Sequence, residues 1–231
     1  MCVELITFNL DGVNKMLKWK LSGMLVLAYL SFSGAAQAVI IIDNSTGGHY
    51  NNLIGDMADY YDASHFPAAN ISEGDPTINP LSEPTTFGAA FGADWLAGDY
   101  SGGTWGTVSD VPNTWAINTE TAIVYDFTLA TASDLHIDLG VDNGIYVWLD
   151  EAFLFGAMAP GGASVSEYDI DLAGVISGDH SLQILREDHG GGTGYLIAVD
   201  ATESSSSVPE PGTLTLFLLG LMGLSVVRKR V

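Results

Sequence analysis

Through the middle of the chain, apolar and polar side chains alternate with a period of two, the spacing of a strand with one buried face. Leu135-His136-Ile137-Asp138-Leu139-Gly140-Val141 shows it most clearly, and Ala122–Leu129 reads the same way. Ile145–Leu149 and Ala152–Phe155 flank Asp150-Glu151, which predicts a tight hairpin although the glycine favoured at its second turn position is missing. Val165–Leu172, His180–Leu185 and Tyr195–Val199 add three short strands, and Val39–Asp43 an earlier one. Asp142-Asn143-Gly144, Pro160-Gly161-Gly162, Ser177-Gly178-Asp179 and Gly190–Gly194 supply the turns between them. Short strands at this spacing predict an all-β domain, an antiparallel β-sandwich of jelly-roll-like type.

The front half carries weaker periodicity. Leu53–Tyr61 predicts one short helix, and Ser64–Thr86, rich in Pro, Asn and Ser, predicts a loop lying across the sandwich. Phe87–Trp105 places aromatics among glycines and gives no clear element. Residues 203–207, Glu203 followed by four serines, read as a flexible linker, so the sandwich is expected to span 39–202.

The two ends follow other rules. From Met16, Lys18 and Lys20 form a positive start, Leu21–Phe32 an apolar stretch, and Ala36-Gln37-Ala38 a small-residue cleavage site. Residues 16–38 are therefore expected to be a signal peptide with an N-terminal signal helix, cut by signal peptidase at Ala36 and Ala38. Residues 1–15, with Glu4 and Asp11 where positive charge belongs, suggest that Met16 is the true start. At the other end, Val208-Pro209-Glu210-Pro211 is rigid and extended, because each proline fixes its own φ and disfavours helix in the residue before it. Sixteen uncharged residues, 212–227, then precede Arg228-Lys229-Arg230. An apolar run stopped by three cations predicts a transmembrane helix in the inner membrane, its basic end at the cytoplasmic face.

The last twenty-four residues, 208–231, resemble the PEP-CTERM sorting tail of exported bacterial proteins. That resemblance implies recognition and processing by an exosortase-type protease in a Gram-negative bacterium that makes exopolysaccharide. The product would be an inner-membrane-anchored precursor that moves to the cell surface or the medium.

Removing both ends changes the charge. Residues 39–207 keep twenty-five Asp and Glu against Arg186 alone, a net charge of −24. Such a body repels nucleic acid and anionic membrane surfaces and attracts divalent cations. The single cysteine, Cys2, precedes the expected cleavage site, which excludes disulfides and thiol chemistry from the exported part.

Val141–Phe155, VDNGIYVWLDEAFLF, resembles a hairpin of PA14-like and galactose-binding-like sandwiches. The resemblance implies carbohydrate or calcium binding. With the acidic surplus, it makes Asp142, Asn143, Asp150, Glu187 and Asp188 candidate calcium ligands, although Asx-Gly turns form without any ligand. Arg186-Glu187-Asp188-His189 before the glycine loop also reads as a solvated hairpin end, with Arg186 paired to Glu187, Asp188 or Asp200. Trp95, Tyr100, Trp105 and Trp115 are candidates for a platform on which sugar rings stack. No G-x-S-x-G, H-E-x-x-H or phosphate-binding glycine loop occurs, and the five histidines lack ligand spacing. The sequence thus points to an exported matrix or surface protein that binds exopolysaccharide, calcium or both, and is not an enzyme. The alternatives are a secreted polysaccharide-acting enzyme and a ligand-free spacer.

Overall fold

In the computed structural model, residues 37–57, 66, 77–159 and 161–204 are described. Among these residues, ten strands form two wholly antiparallel sheets. They are β1 (Val39–Asp43), β2 (Gly48–Gly55), β3 (Gly106–Val108), β4 (Glu120–Leu129), β5 (Ser133–Asp142), β6 (Gly144–Leu149), β7 (Ala152–Met158), β8 (Tyr168–Val175), β9 (Gly178–Glu187) and β10 (Gly194–Glu203). One sheet runs β1-β10-β5-β8 and the other β3-β2-β4-β9-β6-β7. The all-β sandwich read from the alternation is what forms. The expected signal and membrane helices lie outside the described residues, among which no helix is long and apolar enough to cross a membrane.

The alternating positions do what the pattern demands. Ile123, Tyr125, Ile145, Val147, Leu182 and Ile184 of the six-stranded sheet pack in one buried cluster with Ile137, Leu139, Val141, Ile197 and Val199 of the other. The odd residues of β4 and β6 thus face the partner sheet, and the even ones face outward. Outward positions are usually polar in a sandwich, but here Ala122, Val124, Tyr146, Trp148 and Leu185 are also buried. They sit under a second apolar cluster containing Leu81, Phe91 and Trp95, part of a covering segment that runs from Ile78 to Trp105.

That cover accounts for the front half. Ile78 bridges Met158 and the Leu81 N–H donates to the Gly156 carbonyl at 2.7 Å, so the described end of the expected 64–86 loop runs along the β7 edge. Phe87–Trp105 is an aromatic lid over the sheet, with one 3₁₀ turn at Ala89–Phe91. The expected helix from Leu53 is corrected: Leu53, Ile54 and Gly55 end strand β2. Leu53 is exposed and Ile54 buried, in a stretch where the pairing with β4 is irregular between Asn51 and Gly55. Glu203, expected to open the linker, instead closes β10 opposite Ser133, and the Ser204 N–H still bonds the Ala132 carbonyl.

Asp150 and Glu151 both take positive φ, 50° and 69°, as a two-residue type I′ turn requires. The Asp150 carboxylate accepts the Ser181 N–H at 2.9 Å and meets His180 Nδ1 at 2.7 Å, while Glu151 stands where glycine is favoured. Those bonds fasten the turn to β9.

Candidate functional site

The sorting tail and Ala36 lie outside the described residues, whereas Ala38 is exposed just before β1. The fold packs three of the expected platform residues, Trp95, Trp105 and Tyr100, against one another and places Trp115 apart from them. Trp95 is 2% exposed, stacked on Trp105 at 5.7 Å and edge-on to Trp148 at 5.6 Å. It is core and has no free face. Trp105 is half-buried and its Nε1 donates to the Phe91 carbonyl at 2.8 Å. Trp115 packs on the inner side, 4.2 Å from the Arg186 guanidinium. Tyr100 lines an open groove.

The solvated hairpin end and its ion pair are also corrected: Arg186, Glu187, Asp188 and His189 are each 0 or 1% exposed. The side chain of Arg186 donates to Thr121 Oγ1 at 2.9 Å, the Pro112 carbonyl at 2.8 Å and the Tyr50 hydroxyl at 3.2 Å. The rings of Trp115, Tyr195 and Tyr50 surround it. Neutral oxygens and π faces thus take the place of the expected carboxylate, a role that suits a planar, delocalised cation. Burial lowers its proton affinity and the tyrosines beside it raise it.

Four of the five expected calcium ligands share one end of the sandwich. The Asn143 N–H donates to the Glu187 carbonyl at 3.0 Å, and the Asp142 charge acts on Asp188. Burial, opposed by the Asn118 N–H and reinforced by Asp142, pushes the Asp188 carboxyl up to about 6. Glu187 is engaged with His189 Nδ1 at 2.6 Å. Asp150 lies beyond the far end of β6, whose six residues span about 20 Å. Calcium takes six to eight oxygens. Asp142, Asn143 and Asp188 bring two carboxylates and an amide, and among the described residues no three His, Cys, Asp or Glu side chains are grouped to hold a metal.

The open groove lies elsewhere, on the outer face of the six-stranded sheet where the aromatic cover stops. Register builds it. His49 of β2 sits opposite Val124 of β4, Val124 opposite Gln183 of β9, and Asp126 opposite Ser181. The β6–β7 turn closes one side with Asp150 and Glu151, and the Leu96–Tyr100 turn closes another. The resulting cavity is about 340 Å³, within the range of small-ligand sites. A second recess of about 390 Å³ shares Asp126, Asp150 and Ser181 and adds Thr128, Asp179 and His180.

Its polar groups are positioned by short contacts. The Ser181 hydroxyl donates to Asp126 Oδ1 at 2.6 Å, and His49 Nε2 lies 3.5 Å from Asp126 Oδ2. The His49 ring stands 4.7 Å from that of Tyr100, which rests at 4.8 Å on Trp105. Burial, with the Asp126 charge, pushes the Tyr100 hydroxyl up to about 12, so it remains a proton donor at any physiological pH. His180 meets the Asp150 carboxylate and the Ile176 carbonyl, one with each ring nitrogen. Burial disfavours its charged form, but those two acceptors outweigh it and raise its proton affinity. The Nε2 of Gln183 donates to the Leu96 carbonyl at 2.7 Å and so holds the turn against β9.

Of these residues, sequence reasoning had singled out Tyr100 and Asp150, each for a different purpose. His49, Asp126, Ser181 and Gln183 were missed. The only signal for the last three was that polar residues hold alternate positions in β4 and β9.

Residues 207–230 match the PEP-CTERM protein-sorting motif. No curated protein is similar in sequence. Among solved structures, a GH2 β-galacturonidase from Eisenbergiella tayi bound to galacturonate is similar at 9% identity with a TM-score of 0.38, over 73% of this chain and 24% of that one. This chain thus spans about a quarter of that enzyme's length. A PA14 sugar-binding domain from an RTX adhesin is similar at 14% identity with a TM-score of 0.30, over 72% and 91%. The PA14 domain of the MpAFP antifreeze protein gives 14% and 0.28, over 74% and 88%. PA14 domains were the resemblance read from the Val141–Phe155 hairpin, and at these values they carry no argument about chemistry. What the comparisons show of this chain is a PEP-CTERM sorting motif, and the structure shows an antiparallel β-sandwich before it.

Proposed function

We propose that this is an exported bacterial protein, anchored in the inner membrane as a precursor through residues 212–227 and processed by an exosortase-type protease, whose acidic sandwich binds extracellular polysaccharide. The groove between the Leu96–Tyr100 turn and the Asp150-Glu151 turn is the binding surface. The observation that carries this reading is the lining itself: a tyrosine ring beside Asp126, Ser181, Asp150, Glu151 and Gln183, set on paired strands. Sugars present hydroxyls to such acceptors and a C–H face to such a ring. Because the groups stand on a sheet and a fastened turn, little ordering is needed on binding.

The test is retention of the exported protein on exopolysaccharide from the producing cells, with and without Tyr100→Ala. Retention lost in the variant, at unchanged melting temperature, supports the reading. Equal retention moves binding to another surface, and shortening of the glycan during incubation replaces the binding role with the enzymatic one.

One observation favours a second reading at the other end of the sandwich. Asp188 Oδ1 is buried without a hydrogen-bond partner, on a carboxyl beside Asp142. A divalent cation there, held by Asp142, Asn143 and Asp188, would neutralise two like charges. A calcium-dependent rise in melting temperature supports it, and no shift at millimolar calcium rejects it.

A further inference from the structure

We infer that the groove selects glycans bearing free, protonated amines, such as unacetylated hexosamine, over neutral or uronic-acid glycans. This rests on the carbohydrate-binding reading above and names the substrate class of the same site.

Charge is the first reason. Asp126, Asp150 and Glu151 line the groove, and Asp179 joins them in the adjoining recess. Asp126 and Asp150 keep side-chain exposures of 59% and 45%, so their charge acts on whatever enters. The cationic candidates facing them are His49 and His180, and His180 is committed to Asp150 and the Ile176 carbonyl. Arg186, the sole Lys or Arg between residues 39 and 207, lies fully buried among Tyr50, Trp115 and Tyr195. A uronate would enter against like charge with no lysine or arginine to receive it.

Gln183 is the second and independent reason. It is 1% exposed, lines the groove, and has its Oε1 buried without a hydrogen-bond partner. Its orientation is fixed chemically, since the Leu96 carbonyl can only accept and must face the Nε2 donor. An acceptor left unmatched just beneath the groove favours a ligand that brings donors. Asp126 adds to the surplus, because the Ser181 hydroxyl supplies a proton to one of its oxygens and the other is 3.5 Å from His49. The groove is rich in acceptors and short of donors. An ammonium brings three donors and no acceptor, whereas an acetamido group brings one donor and an acceptor for which the groove offers only the Tyr100 hydroxyl and the His49 ring. The ring of Tyr100 then serves either the pyranose face or the cation.

Binding of the exported protein to a glucosamine tetramer, its fully N-acetylated counterpart and tetragalacturonate is to be measured by calorimetry at physiological salt. The amine tetramer is expected to bind about tenfold more tightly than the acetylated one, and the uronate not at all. Asp126→Asn, and separately Glu151→Gln at the turn, should each weaken the amine tetramer severalfold. Asp169→Asn, the same charge change on an exposed residue of β8, should not. Equal affinity for amine and acetylated tetramers overturns the amine selection and leaves the carbohydrate reading standing. Equal weakening by Asp169→Asn overturns it too, because bulk charge then suffices. Tighter binding of the uronate overturns it outright, and binding of none of the three overturns it together with the function it rests on.

Discussion

Replacing Glu120 with glutamine should make the protein more stable, and increasingly so as the pH rises. Glu120 begins β4, is 1% exposed, and accepts the Met57 N–H on Oε2 at 2.6 Å. Burial pushes its carboxyl up from 4.5 to about 9, the Met57 bond opposing and the charges of Glu187 and Asp56 adding. A group whose folded value is raised holds its proton longer in the folded chain than in the unfolded one. Its contribution is therefore whole below about 4.5 and lost progressively up to about 9. At about 1.36 kcal/mol per factor of ten in proton affinity, the loss is about 3 kcal/mol at pH 7 and up to about 6 kcal/mol by pH 9. Glutamine keeps an oxygen for Met57 and has no proton to lose. The assay is urea denaturation of wild type and Glu120→Gln at pH 5, 7 and 9. The two should be similar at pH 5, with the variant ahead by a widening margin above it. A constant difference across that range would refute the reasoning, because it would show that Glu120 ionises alike in both states.

The wild-type melting temperature should itself fall between pH 5 and 9. The raised carboxyls of Asp188 and Glu120 act in that direction, as do His136 and His180, whose stabilising contribution is full below their unfolded value and lost as pH rises through the folded one; a flat differential scanning profile would contradict this. Gly140→Ala should destabilise by about 3 kcal/mol or more in the same denaturation assay, since its Cβ would collide with the Ser164 carbonyl oxygen, backbone that cannot step aside. Arg186→Lys should cost about 2–3 kcal/mol despite keeping the charge, because an ammonium cannot reach three acceptors and stack on Trp115 at once; a change under 0.5 kcal/mol would show that charge alone matters there.

The sandwich was legible because its signal is local. In Leu135–Val141 each apolar residue names its own face, and no knowledge of neighbours is needed. Strand β2 was not, because Asn51 and Asn52 interrupt the alternation. Asn51 earns its burial only through the distant cover, donating to the Ala90 carbonyl and accepting from Thr104. Trp95 looked like a platform because it sits among glycines, yet those glycines let the chain fold back over the sheet and bury the ring. Arg186 to His189 looked solvated because charged residues beside a glycine run usually are. Which acids meet in space depends on register, so Asp150 parted from Asp142 while Asp126 and Ser181, fifty-five residues apart, came together.

The proposed function has a location as well as a ligand, the outer face of the six-stranded sheet. Hydroxyl-radical footprinting of the exported protein, with and without its polysaccharide, tests it most directly. Protection of Tyr100, His49 and the Leu96–Tyr100 turn, with residues around Asp188 unchanged, is the predicted result. Protection confined to the Asp142 and Asp188 end, or none anywhere, would contradict it.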